Sequence, residues 1–133
     1  MIEHLDKEEA ICFLREAYRV LKPGGIIRVV VPDISKIIGR YNEKADADKF
    51  VEDTHMSSPR PKGISQRIKF LIVGTRHHQW MYDGQSLCTL LNLTGFCMPT
   101  IMKAGETLIK DHEPLNLYER KSESLYVEAV KNV

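Results

Sequence analysis

The sequence has no long apolar run, little cysteine and no excess of charge of one sign. No stretch approaches the roughly 18 to 20 apolar residues needed to cross a bilayer, so we expect no membrane partner. The first six residues have neither the basic flank nor the apolar stretch of a signal peptide, which favours a cytoplasmic protein. A net charge of +1 gives no electrostatic reason to expect a nucleic acid partner.

The three cysteines, Cys12, Cys88 and Cys97, are odd in number and widely spaced, so they suggest neither a disulfide framework nor a zinc site. We interpret them as small core residues. The two histidines at 77 and 78 are adjacent, and adjacent side chains on a helix or strand point in different directions. We therefore expect no metal site.

The remaining composition is typical of one globular domain. With 133 residues, 43% hydrophobic and 28% charged, the chain can form one core but not two. An amphipathic helix is predicted over 7–21, because Asp6 and Glu9 form a capping-box pattern and apolar residues recur at helical spacing. Its predicted apolar face comprises Ala10, Phe13, Leu14, Ala17, Tyr18 and Leu21.

Three segments predict β-strands. Residues 26–31 are an almost continuous β-branched run, and 125–130 alternate in polarity with a period of two. The strand over 96–103 contains Pro99, which cannot donate to a ladder and so predicts a sheet edge or a bulge.

A charge in the middle of the first strand determines a predicted register. Arg28 needs a partner there, and Glu128 is the only charged residue of the last strand. We therefore predict antiparallel pairing with 28 opposite 128, 30 opposite 126 and 26 opposite 130.

Further helices are predicted between the strands. Asp33 can cap a helix that continues through Phe50 and Val51, 64–73 predicts a short helix after a loop at 57–63, and Asp83 can cap a third helix. Basic residues without an acidic one occupy 57–78 and could contact phosphates. We favour a solvated face that pairs with the acidic segment 43–53, so nucleic acid is not expected.

This order of elements predicts an α/β fold with a small sheet of three strands, some of whose neighbours are missing or supplied by another chain. Several blocks are more specific. They are Glu3-His-Leu5, Phe13-Leu-Arg-Glu16, Arg19-Val-Leu-Lys-Pro-Gly-Gly-Ile26, Val30-Val-Pro-Asp33, His78-x-Trp80-x-Tyr-Asp83, Leu90-Leu91 with Gly95-Phe96, and Arg120-x-x-Glu-Ser-Leu-Tyr-Val-Glu128. In these blocks the chain resembles the second half of a class I S-adenosylmethionine-dependent methyltransferase of the broad small-molecule type.

The resemblance implies a single partial domain over 1–133 with a partial Rossmann-like methyltransferase fold. Its three strands would be the fifth, seventh and sixth of the family sheet, with the last strand of the chain antiparallel. Residues 33–83 would form the variable helices and loop on the substrate side.

The resemblance also implies the cofactor S-adenosylmethionine. Glu3, His4 and Leu5 match the family segment that passes the cofactor. The glycine-rich loop after the family's first strand is missing from this sequence, as is the acidic residue that binds the ribose. Because affinity depends on several convergent contacts, we expect this chain alone to bind the cofactor weakly or not at all.

Five residues are candidates for the substrate side. A histidine at 77 or 78, or Tyr82, could assist deprotonation of an acceptor hydroxyl or amine, and Tyr41 and Trp80 belong to segments that would cover the cleft. Alternatively, the aromatic residues pack the loop and the histidines are exposed.

Two function classes remain open. The first is the C-terminal part of a methyl-transferring enzyme that acts on a small molecule and is inactive alone. The second is a non-catalytic methyltransferase remnant that acts through protein association. An unpaired strand edge at 26–31 favours a homodimer or a complementing polypeptide in either class.

Overall fold

The computed structural model describes residues 1–56, 63–65 and 77–133 of the chain. It has a mixed α/β fold whose sheet contains three strands, in the order β1-β3-β2. Both neighbouring pairs are antiparallel, as predicted for the first and last strands. The strands are β1 (Ile26–Pro32), β2 (Cys97–Met102) and β3 (Ser124–Val130).

The predicted register is confirmed at all three positions. Arg28 lies opposite Glu128, Val30 opposite Tyr126, and Ile26 opposite Val130. A one-residue slip would move every side chain of a strand to the other face, so the charged pair and the apolar alternation specify the same register.

Both expectations for Pro99 are confirmed as well. The strand β2 is an outer strand of the sheet, and its pairing with β3 shifts between Cys97 and Thr100. Met98 in this bulge has a φ of 50°, a left-handed conformation that locally bends the strand.

The described residues form five helical segments: η1 (Ile2–His4), α1 (Lys7–Val20), α2 (Ile34–Lys44), α3 (Ala47–Thr54) and α4 (Gly84–Leu93). Asp6 and Glu9 cap α1 reciprocally in the predicted capping box. The predicted continuation of the second helix is broken at Ala45, whose φ of 51° ends α2, and Asp46 then caps a separate helix α3.

The apolar core lies on the face of the sheet that α1 and α4 cover. Leu14 of α1, Leu87 and Leu91 of α4, and Val127 of β3 are all fully buried in one cluster. Phe13 was expected on the buried face of α1, but it is 37% exposed. Cys12 is exposed too, so the interpretation of all cysteines as core residues is wrong for it.

The opposite face of the sheet buries an ion pair. Arg28 Nη1 donates to Glu128 Oε1 at 2.6 Å, and Thr107 Oγ1 and the Leu108 amide donate to the same carboxylate. The Arg28 guanidinium carbon lies 5.0 Å from the centre of the Tyr126 ring, a cation-π distance. The Glu128 side chain is therefore completely buried and has a hydrogen-bond donor on each oxygen.

Most of the central basic stretch lies outside the described residues. This applies to the predicted loop at 57–63 except Gly63, and to the predicted helix at 64–73 except its first two residues. In the acidic segment, Asp53 pairs with Arg40 and Lys49. The predicted pairing with the basic stretch stays a prediction. Among the described residues, no helix has the length and apolar character needed to cross a membrane.

The first prediction concerns the buried ion pair. Replacing Glu128 with alanine should lower the free energy of unfolding by about 3–5 kcal/mol, because Arg28 would remain buried without its partner. The double variant Arg28→Met/Glu128→Leu should lose less, since it removes both charges. Urea denaturation monitored by circular dichroism measures both values.

The control is Glu16→Ala, which removes a partner from the exposed Arg19–Glu16 pair and should leave the urea midpoint unchanged. A Glu128→Ala variant as stable as Glu16→Ala would show that the buried pair does not stabilise the sheet.

The second prediction concerns β1, which pairs with β3 on one side and with no strand of the described residues on the other. An open edge of this kind favours pairing with a second copy, so we expect a homodimer. Val30→Lys on β1 should shift the dimer toward monomer in light scattering, because a lysine on an edge strand opposes pairing with another strand. The matched variant Thr100→Lys on β2 should not, and a monomeric wild-type chain at tens of micromolar would contradict the prediction.

Candidate functional site

Two distant parts of the chain meet beside the carboxyl end of β1. The backbone amides of Gln79 and Trp80 donate to the Glu3 carbonyl oxygen at 2.7 and 3.2 Å. The His78 amide donates to the carbonyl of His55 at the end of α3. These bonds hold the segment 77–80 against η1 and thereby bring several polar side chains together.

Two histidines in this region are oriented in the same way. His4 Nδ1 lies 3.0 Å from the His77 carbonyl oxygen, and His78 Nδ1 lies 3.0 Å from the Thr54 carbonyl oxygen. A carbonyl oxygen can only accept, so each Nδ1 carries the proton. In the neutral imidazoles, each Nε2 is therefore the nitrogen with a free lone pair.

A buried carboxylate lies between these groups. Glu3 is only 7% exposed and pairs with the N-terminal ammonium group of Met1. His4 Nε2 lies 3.7 Å from Glu3 Oε1, and one nitrogen or oxygen atom from each of Glu3, His4 and His78 lies within 4.8 Å of the others. We call these three residues the Glu-His-His cluster.

The environment favours an ionised glutamate and a neutral histidine. Burial raises the pKa of Glu3, but hydrogen bonds from the N-terminal ammonium and its own backbone, with the nearby positive charges, bring it below its ordinary value. Burial lowers the pKa of His78, and the charge of Glu3 and the bond to Thr54 offset this only in part. The cluster thus combines a negative charge with a neutral imidazole.

A cavity of about 310 Å³ lies next to the cluster. Met1, Glu3 and His4 line one side, while the end of β1 and Arg120 contribute other parts of its wall. His4 has a side chain that is 41% exposed. A ligand in the cavity could therefore reach the glutamate and the exposed imidazole.

The other predicted site residues contribute no side chain to this cluster. Leu5 packs against the apolar core, and Tyr82 is only 3% exposed. Burial and the charge of Glu3 both raise the pKa of Tyr82, which opposes a role as a base. His77 is the neighbour of His78 in this segment, and the backbone carbonyl of His77 orients the His4 ring.

The two aromatic residues predicted on the substrate side line different cavities. Trp80 is 42% exposed, has the Lys7 ammonium 5.8 Å from its ring centre, and borders a groove of about 280 Å³. Tyr41 packs edge-on against Phe50 and lines a cavity of about 270 Å³ beside α2 and α3. The predicted aromatic cover is therefore divided between two surfaces.

Sequence reasoning did not anticipate the contribution of α3. Its last residue, Thr54, supplies the carbonyl that orients His78, and the ring of His55 lies 5.2 Å from the ring of His78. No motif could have indicated this, because more than 20 residues separate the partners along the chain.

Comparison with known proteins finds similarity in structure only. Neither a protein-family model nor a curated protein matches the sequence. One solved structure, described as a possible exported protein from Bordetella parapertussis, is similar, with a TM-score of 0.50 and 13% sequence identity. The match covers 99% of this chain and 36% of that protein, so the chain spans about a third of its structural neighbour.

This comparison corrects the expected location. The start of the sequence favoured a cytoplasmic protein, whereas the structurally similar chain is described as a possible exported protein. The cytoplasmic prediction is therefore withdrawn.

The third prediction concerns the protonation of His78. Its midpoint, followed by NMR through the Hε1 resonance in metal-free buffer, should lie below the ordinary value of 6.5 because burial disfavours the charged ring. As the pH falls, His78 becomes protonated in the unfolded chain before it does in the folded chain. The free energy of unfolding should therefore decline as the pH falls from 6.5 toward the pKa of His78 in the folded state.

Glu3→Gln provides a comparison with a defined direction. The charge of Glu3 raises the pKa of His78, so its removal should move the midpoint lower still. A wild-type midpoint at or above 6.5 would contradict the burial of a neutral His78.

Proposed function

We propose that this chain forms the C-terminal, substrate-side part of an S-adenosylmethionine-dependent methyltransferase that acts on a small molecule. In this proposal its three strands belong to a larger Rossmann-like sheet, and the chain is not active by itself. The proposal starts from the sequence blocks that resemble this family, and one feature of the fold carries it further.

That feature is the order and direction of the strands. The last strand of the chain, β3, lies between β1 and β2 and is antiparallel to both. In the family, the seventh strand lies between the fifth and the sixth in the same way. Because consecutive strands usually lie side by side, insertion of the last strand between two earlier ones is a specific topological feature.

The position of the Glu-His-His cluster agrees with this proposal. In open α/β sheets, ligands bind in the crevice outside the carboxyl ends of the strands. The cavity beside Glu3 and His4 borders Val31 and Pro32 at that end of β1. Glu3 and His4 are thus suitable residues for contact with a cofactor at this edge.

The chemistry of these residues fits part of the cofactor. The Glu3 carboxylate pairs with an ammonium group in this structure, and S-adenosylmethionine carries both an ammonium and a sulfonium charge. When bound, the cofactor supplies the methyl group, and the enzyme must mainly align the acceptor with it. Glu3 and His4 would form only one wall of the binding site, so we expect this chain alone to bind the cofactor weakly.

Of the predicted catalytic candidates, we favour His78 as the residue that assists the acceptor. Its Nδ1 is held by Thr54, so the Nε2 lone pair is the one available for a proton. Burial keeps the pKa of this imidazole below its ordinary value, which favours the neutral form that a base requires.

The fourth prediction tests the proposed function through the cofactor. Calorimetry should detect no micromolar binding of S-adenosylmethionine to the chain. At millimolar cofactor, NMR should show shifts of the Glu3, His4 and Leu5 amides, with a dissociation constant on the order of 1 mM, or about −4 kcal/mol. Adenosine, which lacks the charged groups, should shift these amides less.

Two variants make the mapping specific. His4→Ala should reduce the shifts, whereas His112→Ala, at an exposed histidine in the connection between β2 and β3, should not. Shifts confined to β2 would count against the methyltransferase proposal and favour a role through protein association at the β1 edge. Tight stoichiometric binding would refute the one-wall description of the cleft.

A further inference from the structure

We propose that Glu3, His4 and His78 form a binding site for a divalent transition-metal ion such as Zn²⁺, with the glutamate carboxylate and the Nε2 atoms of the two imidazoles as ligands. The proposal replaces the expectation of no metal site and does not depend on the proposed function.

The identity of the ligands is the first argument. Two imidazole nitrogens and one carboxylate oxygen suit Zn²⁺ and its neighbours in the first transition row, whereas Mg²⁺ and Ca²⁺ prefer oxygen ligands alone. Three protein ligands leave a fourth position for water or a substrate oxygen. This is the pattern of a site that can polarise a bound oxygen.

The orientation of the rings is the second and more specific argument. Metal-binding histidines almost always donate the other ring N–H to a carbonyl, a carboxylate or water, which fixes the ring and its tautomer. His4 and His78 both do so, through His77 and Thr54. Both rings are thus prepared to offer Nε2 to a cation.

The distances are close to those of a bound ion. Ligand atoms about 2.1 Å from a tetrahedral Zn²⁺ lie about 3.4 Å from one another. His4 Nε2 and Glu3 Oε1 are already 3.7 Å apart, and one ring nitrogen or carboxylate oxygen of each of the three residues lies within 4.8 Å of the others. A shift of about 1.4 Å or less in the widest pair would complete the geometry.

The charge balance also favours a cation here. The Glu3 carboxylate is buried, and in this structure the N-terminal ammonium neutralises it. A divalent ion would replace this contact and would also use the two imidazole lone pairs, which the ammonium group cannot. The free-energy cost of removing a charge from water is compensated only when the charge is paired or bound to a metal ion.

The experiment is titration of the full chain, without an added tag, by Co²⁺ and Zn²⁺. We expect one Co²⁺ per chain with the visible d–d bands of a tetrahedral N/O site, and displacement of Co²⁺ by Zn²⁺. Mg²⁺ should produce no heat in calorimetry. No cofactor is present in these titrations, so failure here leaves the methyltransferase test unaffected.

Variants distinguish the cluster from other ligands. His4→Ala and Glu3→Gln should each weaken Zn²⁺ binding by at least about 100-fold. His112→Ala is the matched control, because its Nδ1 also faces a backbone carbonyl, that of Ile109, and it should bind as the wild type does. His78→Gln adds a test at the buried ligand, with circular dichroism to show that the variant is folded.

Three outcomes would overturn the proposal. They are the absence of Co²⁺ bands, unchanged Zn²⁺ affinity in His4→Ala, and sulfur-to-metal charge-transfer bands, which would assign the ion to the free cysteines instead.

Discussion

The buried contact between Arg28 and Glu128 fixes the arrangement of the sheet. Removing two charges from water costs several kcal/mol, and that cost is offset only when geometry and hydrogen bonding are good. Here Thr107 and Leu108 complete the shell of the carboxylate, so the connection between β2 and β3 is held against the sheet as well. The pair therefore opposes any register in which the two charges would be separated.

The polar cluster depends on this arrangement through the end of β1. The register determines where Pro32 ends the strand, and the next residue, Asp33, forms a bridge with Tyr82. That bridge holds the polypeptide that carries His78 close to the sheet, while hydrogen bonds to Glu3 hold it against η1. The polar site is thus assembled from backbone contacts among three separate segments.

The two proposals for this site make different demands on the same residues. Methyl transfer requires an electrostatic wall at the cavity and a neutral base, while metal binding requires three lone pairs that converge on one point. Glu3 and His78 satisfy both, because one is ionised and the other is kept neutral by burial.

The sequence by itself determined the local elements and the pairing of two strands. Capping residues, β-branched runs and the single charge in each of two strands act over a few residues or through one strong pairing requirement, so their patterns predict structure directly. The break at Ala45 and the exposure of Phe13 were missed, because neighbouring helices and packing decide them. Only the tertiary structure decided that Thr54, His78 and Glu3 meet. Their contacts run through backbone carbonyls, which every residue has and which leave no mark in the sequence.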